Sequence, residues 1–406
     1  MRAYERLLKY ACVHTTSSEE MDTTPSTARQ FDLAKLLADE MKALGMSDVA
    51  ADEFCYVYGS LPASPGCESV PRLGFIAHMD TSPDFSGENV RPQIIEDYDG
   101  GAVILGESGR ALSPKMFPHL PKLAGRTLIV TDGTTLLGAD DKAGIAEILT
   151  LVEELQARGT PHGRISVCFT PDEEVGRGTV RFDMERFGAD VAYTLDGGEE
   201  GEVVFENFNA CSAIVEFRGQ NIHPGSAKGK MVNAVLVAMA FNAMLPGGDT
   251  PRHTEGYEGF FHLASFAGTV ESARASYILR DHDLAKFEMR KQMMLHIEKL
   301  LNEEYGPGTV KLTFQEQYRN MAEKIMPDYE YLIERAVLAV KEAGLTPLTD
   351  PLRGGTDGAL LSWKGLPCPN LGTGGYAFHG PYEHITAEGM DKCVEILHGI
   401  VRQFAK

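Results

Sequence analysis

The chain is poor in several things, and each shortage excludes something. Its seven cysteines (Cys12, Cys55, Cys67, Cys168, Cys211, Cys368 and Cys393) are scattered, odd in number and never spaced as CxxC. That sets aside a disulfide framework and favours reduced thiols in the cytoplasm. Positive charge is also short: 38 Lys and Arg face 58 Asp and Glu, for a net charge of -20. Binding nucleic acid requires basic patches for the phosphates, so no nucleic acid partner is expected. No stretch is long and apolar enough to cross a membrane, and none is expected to act at one. The first residues, "MRAYERLLKYACV", mix charges with apolar residues at helical spacing, unlike a signal peptide. Repeats, heptads and low-complexity tracts are missing. The glycine-rich "GTGGYAFHG" lacks the Lys-Ser/Thr pair of a phosphate loop and the Rossmann spacing.

What is present points to two domains, because 406 residues exceed one ordinary core. The first half alternates strand-like and helix-like segments. A helix is expected over 28–45, strands at 73–78 and 126–131, and a long helix in "DKAGIAEILTLVEELQARG", stopped by Gly159 and Pro161. Strands at 165–169 and 191–195 follow, with a short helix in "FDMERF" between them. This alternation predicts an α/β layer with a mixed, mostly parallel sheet flanked by helices. From about residue 210 the order becomes β-α-β-β-α-β, that of a ferredoxin-like α+β unit. After about residue 318 the α/β style returns, with helices near 327–344 and 386–404. The expected division is therefore a discontinuous first domain, 1–209 with 319–406, and an inserted second domain, 210–318. A cleft between the two is a common place for a substrate.

The polar residues of interest stand where apolar runs end. "LGFIAHMDTSPD" ends a strand in His78 and Asp80, "ISVCFTPDEEVG" leads to Asp172, Glu173 and Glu174, and "VAYTLDGG" to Asp196. Asp140 and Asp141 open the long helix, and His379 lies in the glycine-rich turn. Taken singly, each has an ordinary explanation: helix starts favour acids, and Asp-Gly makes turns. Together, at strand ends of one α/β layer, they would converge on one edge of the sheet. Clustered carboxylates repel unless a cation sits among them. Imidazole with carboxylate and no thiolate suits zinc, with cobalt or manganese as alternatives. The surplus of acids suggests two ions, so spacing alone points to a two-metal hydrolase.

The motifs "IAHMDTSPD", "LGADDKAGIAEI", "TPDEEVGRG", "TLDGG", "NIHPGSAKGKMVNA", "LRGGTDGA" and "GGYAFHGPYEH" resemble, over the whole chain, the peptidase T family of tripeptide aminopeptidases. That family lies in the wider group of zinc peptidases and deacylases related to carboxypeptidase G and aminoacylase. The resemblance implies a zinc-peptidase catalytic domain with an inserted lid domain. It implies two Zn2+ per subunit, Co2+ or Mn2+ being able to substitute. His78, Asp140 and Asp196 would hold one ion, and Asp140, Glu174 and His379 the other, with a cis peptide bond at Asp140–Asp141. Asp80 would be catalytic, accepting a hydrogen bond from the His78 nitrogen that faces away from the metal. Glu173 would be the general base, taking a proton from the metal-activated water and passing it to the leaving amine. His223 would reach the scissile carbonyl on domain closure, and Arg280, Asn320 and Arg353 would grip the peptide. Asp357 would cap the next helix. The implied partners are small peptides, with a homodimer through the lid domain allowed by an exposed strand edge. A dinuclear zinc amide hydrolase of N-acyl amino acids or dipeptides is the alternative reading. A catalytically silent metal-binding scaffold would lack a ligand or the base, and none is missing.

Overall fold

The structure, a computed structural model, describes residues 1–405. The chain divides into two compact units. The first comprises Met1–Phe205, Glu323–Asp350 and residues from Thr356 onward; the second comprises Glu206–Ala322 and Pro351–Gly355.

In the first unit the strands Leu73–His78 and Ile165–Thr170 are buried at every position. Such unbroken apolar runs suit the interior of a sheet covered on both faces. They lie side by side and parallel, with Val191–Gly197 and then Asn370–Gly372 continuing the parallel set. Antiparallel strands close the edges, Val57–Leu61 with Ser47–Ala51 on one side and Val203–Val204 on the other, giving seven strands. The helix Ala139–Arg158 buries Ile145, Ile148, Leu149, Val152 and Leu155. It stops where Gly159 takes φ 60°, a left-handed conformation glycine adopts without steric cost. The last helix, Ala387–Phe404, starts at Thr386, whose hydroxyl accepts the Gly389 N–H at 3.0 Å.

The stretch 126–131 does contain a strand, Leu128–Val130, but not in this sheet. It pairs antiparallel with His384–Thr386 and Gln93–Ile95 in a second, four-stranded sheet that includes Gly375–Tyr376. A three-residue apolar run carries no record of its partner, so periodicity could not place it. The small sheet matters because both segments that border the site, 131–140 and 377–383, leave from it.

The second unit is a four-stranded antiparallel sheet in the order Phe260–Gly268, Ser272–Asp281, Asn209–Arg218, Val310–Tyr318. With helices Ala234–Met244 and Leu284–Tyr305, this is the ferredoxin-like order expected from sequence. Val215, Phe217, Phe241, Tyr277, Leu279, Phe287 and Leu301 form its core. Its two helices are capped by Asn233 and Asp283. Three asparagines knot the chain where it enters and leaves. Asn320 accepts from the Asn207 and Ala322 N–H groups and donates to the His282 carbonyl. Asn207 accepts from Met321 N–H at 2.7 Å, and Asn209 from Asn320 N–H at 3.1 Å.

Candidate metal centre

His78 is the last residue of its strand and is buried. Its Nε2 lies 2.9 Å from Asp140 Oδ1 and 3.5 Å from Asp196 Oδ1. The other oxygen of Asp140, Oδ2, is 3.3 Å from His379 Nε2, which is also 3.0 Å from Glu174 Oε2. Asp140 thus turns one oxygen to each histidine. The Asp140–Asp141 peptide bond is cis, as the motifs led us to expect.

Two triads hold ligand atoms within 4.8 Å of one another: His78, Asp141 and Asp196, and His78, Asp140 and Glu174. Asp141 is the weaker ligand candidate, for its carboxylate is already engaged. It accepts the His78 N–H at 3.0 Å and the Gly144 N–H at 3.3 Å, so it braces the loop from behind.

The electrostatics ask for a cation. Burial pushes the Glu173 carboxyl well above its ordinary range, raises Asp196, and takes Glu174 up to about 7 against the pull of its His379 hydrogen bond. Burial would also raise Asp140, but hydrogen bonds from His379 and His78 hold it low. His379, bonded to Asp140 and Glu174, is pushed up to about 11. Carboxylates this close cannot all be ionised without positive charge between them. Glu174 Oε1 is buried with no hydrogen-bond partner, an acceptor left over for something else. Two imidazoles, three carboxylates and no thiolate are a donor set that fits zinc, cobalt or manganese.

Around this cluster the structure adds supports that the sequence only partly suggested. Asp80 does not take the His78 ring as its main partner. His78 Nδ1 is 3.1 Å from the Asp80 carbonyl and 3.4 Å from its carboxylate, while that carboxylate accepts the N–H groups of Glu173 (3.0 Å) and Glu174 (3.2 Å). Glu383 accepts from Leu137, Gly138 and Asp140 N–H at 2.7, 2.8 and 3.0 Å. It is 1 % exposed and lies in the motif "GGYAFHGPYEH", but its role went unmarked because bonds to backbone amides leave no periodicity. Asp357 is not the helix cap. Thr356 caps, accepting from Ala359 N–H, and Asp357 is buried with the Thr170 hydroxyl donating to it at 2.9 Å. A methyl group added at Gly178 would collide with the Asp357 carboxylate, which explains a glycine there. Glu173 itself has no hydrogen bond to its carboxylate among the described residues.

The remaining sequence candidates lie in the second unit. His223 is exposed, its Nδ1 accepting from Gly225 N–H. Arg280 is half-buried against the Tyr318 ring and donates to the Leu279 carbonyl at 2.9 Å. Arg353 spends its donors on the loop 254–258, bonding the carbonyls of Gly256 (2.7 Å) and Glu258 (2.8 Å) and the Thr254 hydroxyl (2.9 Å). Asn320 is occupied by the asparagine knot.

Two histidines and three carboxylates around one centre, with an unbonded glutamate beside them, are the makings of a metal-dependent hydrolase. The sequence pattern of Peptidase family M20/M25/M40 matches residues 131–403, and the chain belongs to that family. Within it, the resemblance is to peptidase T. Peptidase T of Alkaliphilus oremlandii (strain OhILAs) is 52 % identical over 405 residues, 99 % of each chain. Peptidase T of Clostridium perfringens (strain 13 / Type A) is 52 % identical over 406 residues, 100 % of this chain and 99 % of that one. The crystal structure of aminopeptidase PepT from Bacillus cereus ATCC 10987 superposes with a TM-score of 0.80 at 25 % identity, covering 100 % and 98 % of the two chains. No helix among the described residues is long and apolar enough to cross a membrane.

Proposed function

We propose that this peptidase, of the peptidase T kind, releases the N-terminal residue of tripeptides with Glu173 as general base. The observation that carries the reading is an unbonded Glu173 beside the cluster of His78, Asp140, Glu174, Asp196 and His379. Two zinc ions, one held by His78, Asp140 and Asp196 and one by Asp140, Glu174 and His379, would polarise the scissile carbonyl and lower the pKa of water. Glu173 takes the proton of the attacking water and returns it to the departing amine. Burial raises its carboxyl above the ordinary range, which strengthens it as a base. Asp80 acts here through the backbone of Glu173 and Glu174 rather than on the substrate. In the second unit, the lid domain of this reading, His223 and Arg280 are the freer groups for the peptide's carbonyl and carboxylate. Contact by Arg353 or Asn320 would require bonds inside that unit to open.

The test compares a free tripeptide, its N-acetylated form and a dipeptide, each before chelation, after it, and after zinc is restored. The expected result is metal-dependent release of the first residue from the free tripeptide alone. Preference for the acylated peptide would move the chain to the deacylases, and no cleavage of any would end the reading.

A further inference from the structure

The turn that carries Glu173 and Glu174 is held from two directions, and only one involves the strand of His78. Asp172, the residue before Glu173, is fully buried and has φ 59°, a left-handed conformation uncommon outside glycine. Both of its carboxylate oxygens are used. Oδ2 accepts the Ser26 N–H at 2.7 Å, and Oδ1 accepts the Ser26 hydroxyl at 2.5 Å and the Gln30 amide at 2.7 Å. Gln30 returns the contact, its Oε1 accepting the Asp172 N–H at 3.3 Å. Ser26 and Gln30 are themselves buried, so no water competes for these bonds. The same N-terminal segment is fastened to the other side of the site. Ser17 N–H donates to the Thr81 carbonyl at 3.2 Å, the Thr16 and Thr81 hydroxyls are 3.1 Å apart, and Thr27 Oγ1 donates to the Thr16 carbonyl at 2.8 Å. Residues 15–30 therefore strap together two backbone segments, one following Asp80 and the other preceding Glu173.

We propose that Asp172, gripped by Ser26 and Gln30, is a positioning residue that aims Glu173 and Glu174, making the N-terminal strap part of the catalytic apparatus. The proposal rests on the reading of Glu173 as general base. Its physical basis is that a carboxylate accepting three hydrogen bonds leaves the preceding residue no freedom. The Glu173 and Glu174 N–H groups then meet Asp80 at a fixed angle, and their side chains start from fixed Cα–Cβ directions. Asparagine at position 172 replaces one acceptor by an NH2 group facing donors, so the grip fails without a change of volume.

Two measurements test this on the full chain. The first needs neither metal nor substrate: amide hydrogen exchange of the metal-free protein. The Glu173 and Glu174 amides should exchange about tenfold faster in Asp172→Asn than in the parent, with the thermal midpoint confirming a folded chain. Should Asp172→Asn not fold, Ser26→Ala shifts the same amides in the same direction by a smaller factor. The second is tripeptide turnover. Asp172→Asn should lower kcat about 30-fold with KM nearly unchanged, a cost in keeping with a misaimed base. In a Glu173→Gln background the same substitution should lower the residual kcat by a clearly smaller factor, since one of the two groups it aims is already gone. Equal losses in both backgrounds, or unchanged exchange of the two amides, would overturn the proposal and leave Asp172 as a plain anchor of the strap. Absence of tripeptide hydrolysis in the parent would instead defeat the proposed activity, while the exchange experiment still judges the grip.

Discussion

Replacing Glu173 by alanine should lower tripeptide turnover by about 10²–10⁴-fold, the usual contribution of a positioned general base, while the chain keeps its metal. The two halves of that expectation have separate grounds. The carboxylate of Glu173 belongs to neither of the triads whose ligand atoms lie within 4.8 Å of one another. Its removal therefore takes no donor from His78, Asp140, Asp196, Glu174 or His379. Its backbone N–H, which Asp80 holds at 3.0 Å, survives the substitution, so Glu174 keeps its place on the next residue. What vanishes is the unbonded carboxyl beside the cluster, which burial pushes well above its ordinary range. Turnover measured beside metal content by mass spectrometry separates the cases. Full activity in a metal-loaded Glu173→Ala chain would remove the base from the account, and loss of metal would make Glu173 a ligand.

Replacing Glu383 by alanine should destabilise the chain by about 3–5 kcal/mol and weaken its hold on metal. One buried carboxylate here satisfies the N–H groups of Leu137, Gly138 and Asp140. Truncation orphans all three, and each buried donor left without a partner costs about 1–3 kcal/mol unless water replaces the lost acceptor. The damage is not local. Glu383 stands four residues after His379, so it ties the segment bearing one proposed ligand to the segment bearing Asp140, the proposed bridge. Cutting that tie lets the two ligands drift apart. Glutamine, which keeps one acceptor oxygen, should cost less than alanine. Denaturant unfolding of the metal-free chain reads the first effect, and metal titration reads the second. A Glu383→Ala chain with unchanged midpoint and metal affinity would show that the three amides find other partners.

Much of this architecture could be read from residue patterns, and the exceptions share a physical cause. Leu73–His78 and Ile165–Thr170 announced themselves because a strand buried on both faces is an apolar run with no alternation. The polar residues that end such runs were legible for the same reason: His78, Glu173, Glu174 and Asp196 interrupt an otherwise hydrophobic text. The inserted unit was legible from the order of its six elements. By contrast, Leu128–Val130 shows that three apolar residues do not say which sheet they join. Glu383 was overlooked because it works by accepting backbone N–H groups from a distant segment. Asp172, grouped with Glu173 and Glu174 as a potential metal ligand, instead gives both carboxylate oxygens to Ser26 and Gln30. Such a contact has no spacing rule. Asp357 and Thr356 are neighbours that could each cap a helix, and only the three-dimensional contact with Thr170 separates them. Arg353 has contacts that no spacing rule announces. A guanidinium in a conspicuous motif suggested a carboxylate partner, yet it is held by the carbonyls of the loop 254–258.

The central claim is that His78, Asp140, Asp196, Glu174 and His379 hold two metal ions with Asp140 shared between them. Anomalous diffraction from crystals of the zinc-loaded chain, with the metal content of the same sample counted, tests it most directly. The account predicts two ions per chain, one touching His78, Asp140 and Asp196, the other touching Asp140, Glu174 and His379. A single ion, or two ions of which Asp140 touches fewer than both, would contradict it.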